Sequence, residues 1–132
     1  MFLNPLDASY ARLGEHKAPR YVTWSPENRS QLIRIPAAKG EYERIELRSP
    51  DPAGNPYLAF ALILAAGADG IRRNLTAPPA TNVNLFTADA SITSKLRQLP
   101  RTRAEAAKIA RESAFVRSVL PAGIIEAYTA DV

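Results

Sequence analysis

The pattern of apolar and polar positions divides the chain into an irregular start, a strand-rich part and a helical part. Residues 1–19 show no periodicity and contain turn-forming residues, so we expect a loop there. Residues 21–24 are rich in β-branched and aromatic side chains and predict a strand. Residues 25–28 form a good turn sequence, and residues 32–35 predict a second strand.

A third strand is predicted at residues 44–48, where charged and apolar residues alternate strictly. Because successive side chains of a strand point to opposite faces, Ile45 and Leu47 share one face. The other face carries a cation, an anion and a cation: Arg44, Glu46 and Arg48.

Helical features begin after residue 52. Asn55 suits an N-cap and Pro56 suits the first helical position, so we expect a helix over residues 57–71. That segment is apolar on nearly all sides, which is typical of a helix buried against a sheet or other helices.

Further helices are expected near the end of the chain. Thr102 and Glu105 have the spacing of a capping box, which predicts a helix over residues 103–112. Shorter helices are expected over residues 114–120 and 122–128. These elements together predict an α+β fold: part of an antiparallel β-sheet with helices packed on one face and at the C-terminus.

The amino-acid composition excludes several classes of function. The chain has 132 residues, enough for one domain, and 46% of them are hydrophobic, the balance of a globular protein. The longest apolar run, residues 57–66, is about half of the roughly 20 residues that span a membrane, so no membrane partner is expected. Cysteine is absent, which excludes disulfides and thiol catalysis. The single histidine, His16, excludes a metal site with two histidines from this chain, and we expect it to be exposed.

The basic residues favour an anionic ligand. The net charge is +4, and 13 of the 17 basic residues are arginine. Arginine suits bidentate binding of carboxylate and phosphate. Charge alone does not separate nucleic acid from ATP or an amino-acid carboxylate. We interpret the arginines of residues 72–73 and 97–103 as solvated helix ends and expect no nucleic-acid partner.

Two interpretations fit the charged strand. A surface ladder of salt bridges is the simpler one. The other is a catalytic floor, in which Glu46 ligates a divalent ion while Arg44, Arg48 and, from neighbouring segments, Arg34 and Arg29 hold anions. So many cations around one carboxylate would repel one another unless anions were bound. This second interpretation requires Glu46 and Arg48 on the same side of the sheet and outside an apolar interior.

Three consecutive stretches of sequence connect the second interpretation with a known protein family. They are NRSQLIRIP at 28–36, RIELRSPDP at 44–52 and NPYLAF at 55–60. In order and spacing they resemble the C-terminal part of the catalytic domain of glutamine synthetase. The resemblance is close from about residue 4 to residue 71 and looser beyond.

The resemblance implies a ligase of nitrogen metabolism that joins ammonia to L-glutamate, with ATP, through a γ-glutamyl phosphate. Arg12 resembles a glutamate-binding arginine, and Arg29 resembles a catalytic arginine that contacts both ATP phosphate and glutamate. Arg34 and Arg44 correspond to ATP-binding positions. Arg48 matches an arginine that holds the substrate carboxylate. Glu46 matches a ligand of the Mg²⁺ or Mn²⁺ that bridges the nucleotide phosphates.

The resemblance also implies a domain organisation. Residues 1–132 would be a C-terminal fragment of the catalytic domain, with the N-terminal β-grasp domain and the first part of the catalytic domain absent. We expect the isolated fragment to be inactive, since it matches only one metal ligand. The parent protein would be cytoplasmic and a large homo-oligomer with active sites between subunits.

Two residues depart from the family pattern. Lys17 stands before Ala18-Pro19, where the family commonly has a glutamate in the flap over the ammonium site, and Ala8 stands where asparagine is usual. These changes leave open a ligase of the same family that glutamylates a polyamine or another amine. A non-catalytic assembly module that retains the sheet is the remaining alternative.

Overall fold

A computed structural model describes all residues from Met1 to Val132. The chain divides into two compact units. The first, the helical unit, comprises Met1–Tyr10, Pro50–Ala77 and Pro100–Val132. The second, the sheet unit, comprises Ala11–Ser49 and Pro78–Leu99. The α+β class is confirmed, with the sheet and the long helices in different units.

The sheet unit contains a three-stranded sheet in the order β1-β2-β3. The strands are β1 (Trp24–Pro26), β2 (Ile33–Ile35) and β3 (Glu46–Leu47). Strands β2 and β3 are antiparallel, as expected, but β1 and β2 are parallel. The sheet is therefore mixed: the expected antiparallel arrangement holds for β2 and β3, and β1 departs from it.

The direction of β1 differs from the expectation because the strand extends into the predicted turn at residues 25–28. Residue 24 is the start of β1 rather than its end, and the chain turns only after Pro26, at Glu27, whose φ is 60°. The loop that follows returns the chain to the beginning of β1, where Ile33 pairs with Trp24. The predicted strand residues before β1 pair instead with residues 97–99, since the Val22 amide donates to the Arg97 carbonyl at 2.8 Å.

Six α-helices and one 3₁₀ helix complete the structure. They are α1 (Asp7–Arg12), the 3₁₀ helix (Gly40–Tyr42), α2 (Pro56–Arg72), α3 (Ala90–Thr93), α4 (Arg103–Glu112), α5 (Ala114–Val119) and α6 (Ala122–Thr129). All four predicted helices are confirmed, within one residue at each end. The expectation of a loop over residues 1–19 was wrong for residues 7–12, which form helix α1. None of the helices is both long enough and apolar enough to cross a membrane.

Helix α2 begins as the sequence predicts. The Asn55 side chain accepts hydrogen bonds from the amides of Tyr57 and Leu58, and Pro56 occupies the first turn. Its burial differs from the expectation, because Leu62 is the helix's one buried residue. The prediction of a helix buried on nearly all sides was wrong for this chain, since α2 packs mainly against the short helix α5.

The core of the helical unit brings together distant parts of the chain. Phe2, Leu62, Ala110, Leu120 and Ile125 form its buried cluster. Helices α4 and α6 make the most extensive contact between helices in this unit. The N-cap at the start of α4 is confirmed: the Thr102 hydroxyl accepts from the Glu105 amide at 3.1 Å, while the Glu105 carboxylate accepts from the Arg101 amide at 2.7 Å.

Candidate functional site

The candidate site lies in the sheet unit, on one face of β2 and β3. Arg34 and Glu46 are paired in register across these strands, so their side chains extend to the same side. Nη1 of Arg34 lies 3.0 Å from Oε2 of Glu46. Nε of Arg48, two residues along the chain, lies 3.8 Å from the same oxygen. The two positions that the catalytic-floor interpretation needed together are thus on one side of the sheet.

Glu46 is ionised more readily than an ordinary glutamate. The hydrogen bond from Arg34 is the largest cause of the lowered pKa of its carboxyl group. Burial is the next largest cause and opposes the change, while the charges of Arg34, Arg48 and Arg29 lower the pKa further. The side chain is 43% exposed. Glu46 is therefore a charged carboxylate that solutes can reach, rather than a group in an apolar interior.

Arg48 has a different environment. Its side chain is 14% exposed, and burial lowers the pKa of its guanidinium although Glu46 opposes that change. Nη1 donates to the carbonyl of Arg29, and Nη2 donates to the carbonyl of Lys17 at 3.1 Å. Arg48 thus joins the loops that contain Lys17 and Arg29 to the end of β3.

The loop bonded to Arg48 has a strained backbone. His16 and Lys17 both have positive φ, 46° and 70°, which costs an L-residue about 1–2 kcal/mol. Gly14, with φ of 94°, opens the same loop. His16 is exposed, as expected from its sequence context. The hydrogen bond from Arg48 to Lys17 helps to hold this conformation.

The remaining predicted arginines occupy three different positions. Arg29 is exposed, and its charge acts on Glu46. Arg12, at the end of α1, donates to the carbonyl of Ser49, which follows β3 closely. Arg44 donates to the carbonyl of Tyr42 at 3.0 Å. The structure therefore gathers Arg29, Arg34 and Arg48 around Glu46 and directs Arg44 to the 3₁₀ helix.

The sequence prediction missed the polar residues that support this cluster. Asn28, Ser30 and Gln31 bind the segment around Val83: the Asn28 amide donates to the Val83 carbonyl at 3.0 Å, and the Ser30 hydroxyl accepts from the Leu85 amide at 2.9 Å. Ser30 and Gln31 are buried, at 3% and 0% exposure. Their only signal in the sequence was their place inside the 28–36 motif, because the partner segment lies more than 50 residues away.

A divalent ion would find one ligand here. The carboxylate of Glu46 has the hard oxygen atoms that Mg²⁺ and Mn²⁺ prefer. The chain contains no group of three His, Cys, Asp or Glu side chains that could hold a metal ion. Glu46 is therefore suited to contribute one ligand to a metal site, and the residues of this chain do not form a complete metal site.

Comparisons with known proteins agree with this geometry. A family model described as the catalytic domain of glutamine synthetase matches residues 1–131. The glutamine synthetase of Methanosarcina mazei is 46% identical over 128 residues, and that of Thermus thermophilus is 47% identical over 120 residues. A solved complex of GmaS with ADP superposes on 98% of this chain with a TM-score of 0.81 and 30% identity.

The matched proteins are much longer than this chain. The alignment covers 95% of the chain but 29% of the M. mazei protein, and 89% of the chain but 27% of the T. thermophilus protein. In the GmaS structure the matched region is 30% of the polypeptide.

Proposed function

This chain belongs to the glutamine synthetase catalytic-domain family, and we propose that it supplies the anion-binding floor of an ATP-dependent glutamate–ammonia ligase. One observation carries the proposal: Arg34 and Arg48 both lie within 4 Å of Glu46 Oε2, at 3.0 and 3.8 Å, and the charge of Arg29 also acts on this carboxylate. Such a concentration of positive charge is suited to phosphoryl transfer, where catalysis depends on positioning and charge neutralisation.

The individual roles are those that the resemblance to the family implies, and guanidinium groups have the geometry to bind carboxylate and phosphate. Arg34 and the exposed Arg29 neutralise nucleotide phosphates, and Arg29 also stabilises the charge that develops as the phosphoryl group moves to glutamate. Arg12 and Arg48 hold glutamate through its carboxylates. Arg44 is assigned to ATP on the resemblance alone, since its guanidinium is bonded to the Tyr42 carbonyl. The ADP in the GmaS complex supports a nucleotide at this fold.

Glu46 contributes one ligand to a divalent ion, Mg²⁺ or Mn²⁺. The ion, when bound, neutralises phosphate charge that arginines alone would have to balance. Because Glu46 is 43% exposed, its carboxylate is accessible for this role. In this proposal the other metal ligands belong to the rest of a longer polypeptide, and the 132 residues alone do not catalyse ligation. We also assign that polypeptide to a cytoplasmic homo-oligomer with active sites between subunits.

A chimera tests the assignment. The matched segment of the M. mazei enzyme is replaced by this chain, and glutamine formation is measured at varied Mg²⁺ concentration. We expect an active chimera, and Glu46→Gln to reduce its activity by about 100-fold or more, the scale for losing one preorganised charge-stabilising group. Glu43→Gln, at an exposed position nearby, is the matched control. Full activity and unchanged Mg²⁺ dependence in the Glu46 variant would refute the role. Glutamine formation by the purified 132-residue chain would refute the proposal that the chain alone is inactive.

A second candidate is a ligase that glutamylates an amine larger than ammonia. Lys17 motivates it, because this residue stands where the family commonly carries a glutamate for ammonium. Product analysis of the chimera with ammonia and competing amines separates the two. Lys17→Glu should shift the product ratio towards glutamine if the acceptor is set at this position, and an unchanged ratio would argue against it.

A further inference from the structure

The largest fully buried side chain of the protein is polar. Gln31, which lies just before β2, is 0% exposed. Its Nε2 donates to the Val83 carbonyl at 2.9 Å and to the Ser30 hydroxyl at 3.2 Å, whereas its Oε1 has no hydrogen-bond partner. A buried amide with an unpaired oxygen destabilises a fold, and an apolar side chain would fill the volume without this cost. Such departures from ordinary core composition are typical of functional sites.

The carbonyl of Val83 holds residues 28–31, which we name the Arg29 loop. It accepts hydrogen bonds from the side chains of Asn28 at 3.0 Å and Gln31 at 2.9 Å, and a longer one from Ser30 at 3.4 Å. A carbonyl oxygen has two lone pairs, so these three donors cannot all bond to it at full strength. The Gln31 bond is the shortest of the three, and its side chain is the most deeply buried, so water cannot replace it.

Arg48 binds the same loop at its main chain. Its Nη1 donates to the carbonyl of Arg29 and lies 3.4 Å from the carbonyl of Gln31. The Arg29 loop is therefore bonded to Arg48 through main-chain oxygens and to Val83 through side chains. The side chain of Arg29 itself is exposed. Its guanidinium thus extends from a main chain that two separate sets of hydrogen bonds fix.

We propose that Gln31 is a positioning residue for phosphoryl transfer: by bonding the Arg29 loop to Val83, it fixes the point from which the Arg29 guanidinium reaches the transferred group. The proposal rests on the proposed function, in which Arg29 stabilises the charge that develops during transfer. Position matters there, because a displacement of about 1 Å can lower the rate of a reaction by about 100-fold. Gln31 touches no substrate and acts only through Arg29.

A role in packing alone leads to a different expectation. Methionine is close to glutamine in length and volume, fills buried sites adaptably and has no N–H to donate. If Gln31 only filled space, Gln31→Met would leave the Arg29 loop in place. If its hydrogen bonds fix the loop, the same substitution releases it. Leu32→Met, at the next buried position of the same segment, is the matched control because the Leu32 side chain has no hydrogen bond to lose.

A spin label at position 29 tests the positioning without any catalysis. The chain has no cysteine, so Arg29→Cys provides its only attachment site for the label. Electron paramagnetic resonance of the labelled 132-residue chain then reports how freely position 29 moves. We expect Gln31→Met to shift the spectrum to the narrower lines of a more mobile label, and Leu32→Met to leave it unchanged. Equal spectra with and without Gln31→Met would overturn the proposal.

The kinetics of the M. mazei chimera test the consequence for catalysis. Gln31→Met should lower kcat by about tenfold with a much smaller change in KM for glutamate, because the interaction that is lost acts in the transition state. Gln31→Asn, which keeps the amide but shortens its reach by one methylene, should cause a similar loss. In an Arg29→Lys background, Gln31→Met should lower kcat little further, because the guanidinium that Gln31 positions is already absent. The melting temperature should fall equally in both backgrounds.

Two kinetic results would overturn the positioning role. If Gln31→Met lowers kcat by the same factor in both backgrounds, Gln31 does not act through Arg29. If Leu32→Met reproduces the loss of kcat, the effect belongs to packing. A chimera without these substitutions that forms neither glutamine nor a glutamylated amine would instead refute the proposed function. The spin-label comparison would then still decide whether Gln31 fixes position 29, since it requires no activity.

Discussion

Arg34 and Glu46 face each other across the antiparallel pair β2–β3, with Nη1 and Oε2 3.0 Å apart. The pair is built from two strands of three and two residues, so little regular structure positions it. The rest of the support comes from Arg48, which bonds the neighbouring loops to β3. The candidate site is therefore held mainly by side-chain contacts to the main chain.

The ion pair should make stability depend on pH. Glu46 has a lowered pKa in the folded chain, so its contribution is complete above the unfolded value of about 4.3 and is lost as pH falls through the folded pKa. At pH 7 we expect Glu46→Gln to reduce the free energy of unfolding by about 0.2–1 kcal/mol, the range for solvent-accessible pairs. The difference between the two proteins should shrink below about pH 4. Urea unfolding at pH 3, 5 and 7 measures it, with Glu43→Gln as control, and a difference independent of pH contradicts the prediction.

Arg48→Lys should destabilise the sheet unit. A lysine ammonium cannot reach the carbonyls of Lys17 and Arg29 with the geometry of a planar guanidinium. We expect a loss of about 1–3 kcal/mol, because two carbonyls lose a charged donor. Urea unfolding measures the loss, and limited proteolysis should show earlier cleavage at residues 14–18. Arg44→Lys, at an exposed position, should change stability by less than about 0.5 kcal/mol. Equal effects of the two substitutions would count against a special role of Arg48.

Ser30→Ala should weaken the attachment of the segment around Leu85. The Ser30 hydroxyl donates to Asn28 at 2.8 Å and accepts from the Leu85 amide at 2.9 Å, in a site 3% exposed. Its removal leaves a buried amide without that acceptor, which costs about 1–3 kcal/mol. Thermal unfolding checks the value, and Ser94→Ala, at an exposed position, is the control. A loss no larger than that of the control would contradict the network.

Asn55→Ala should destabilise the start of α2. The side chain accepts hydrogen bonds from the amides of Tyr57, at 2.9 Å, and Leu58, at 3.4 Å. The loss of an N-cap of this kind costs about 1 kcal/mol, and Asn55→Ser should restore most of it. Circular dichroism during urea unfolding measures both variants. If alanine and serine behave alike, the cap does not stabilise the helix.

Local sequence rules predicted the helices well. Asn55 with Pro56, and Thr102 with Glu105, mark helix starts because a cap depends on residues only two or three positions apart. The alternation at residues 44–48 predicted the shared face of Glu46 and Arg48 for the same reason. Helix α1 was missed because its six residues lack a clear apolar period.

The sequence by itself determined the type of most elements, the charged face of β3 and, through three spaced motifs, the family. Only the tertiary structure decided that β1 runs parallel to β2, that Arg48 bonds the loops at Lys17 and Arg29, and that α2 keeps an exposed apolar face. The physical reason is the separation along the sequence between the residues that interact. Caps and alternation depend on adjacent residues, whereas strand direction, loop attachment and burial depend on contacts between residues that are far apart in the chain.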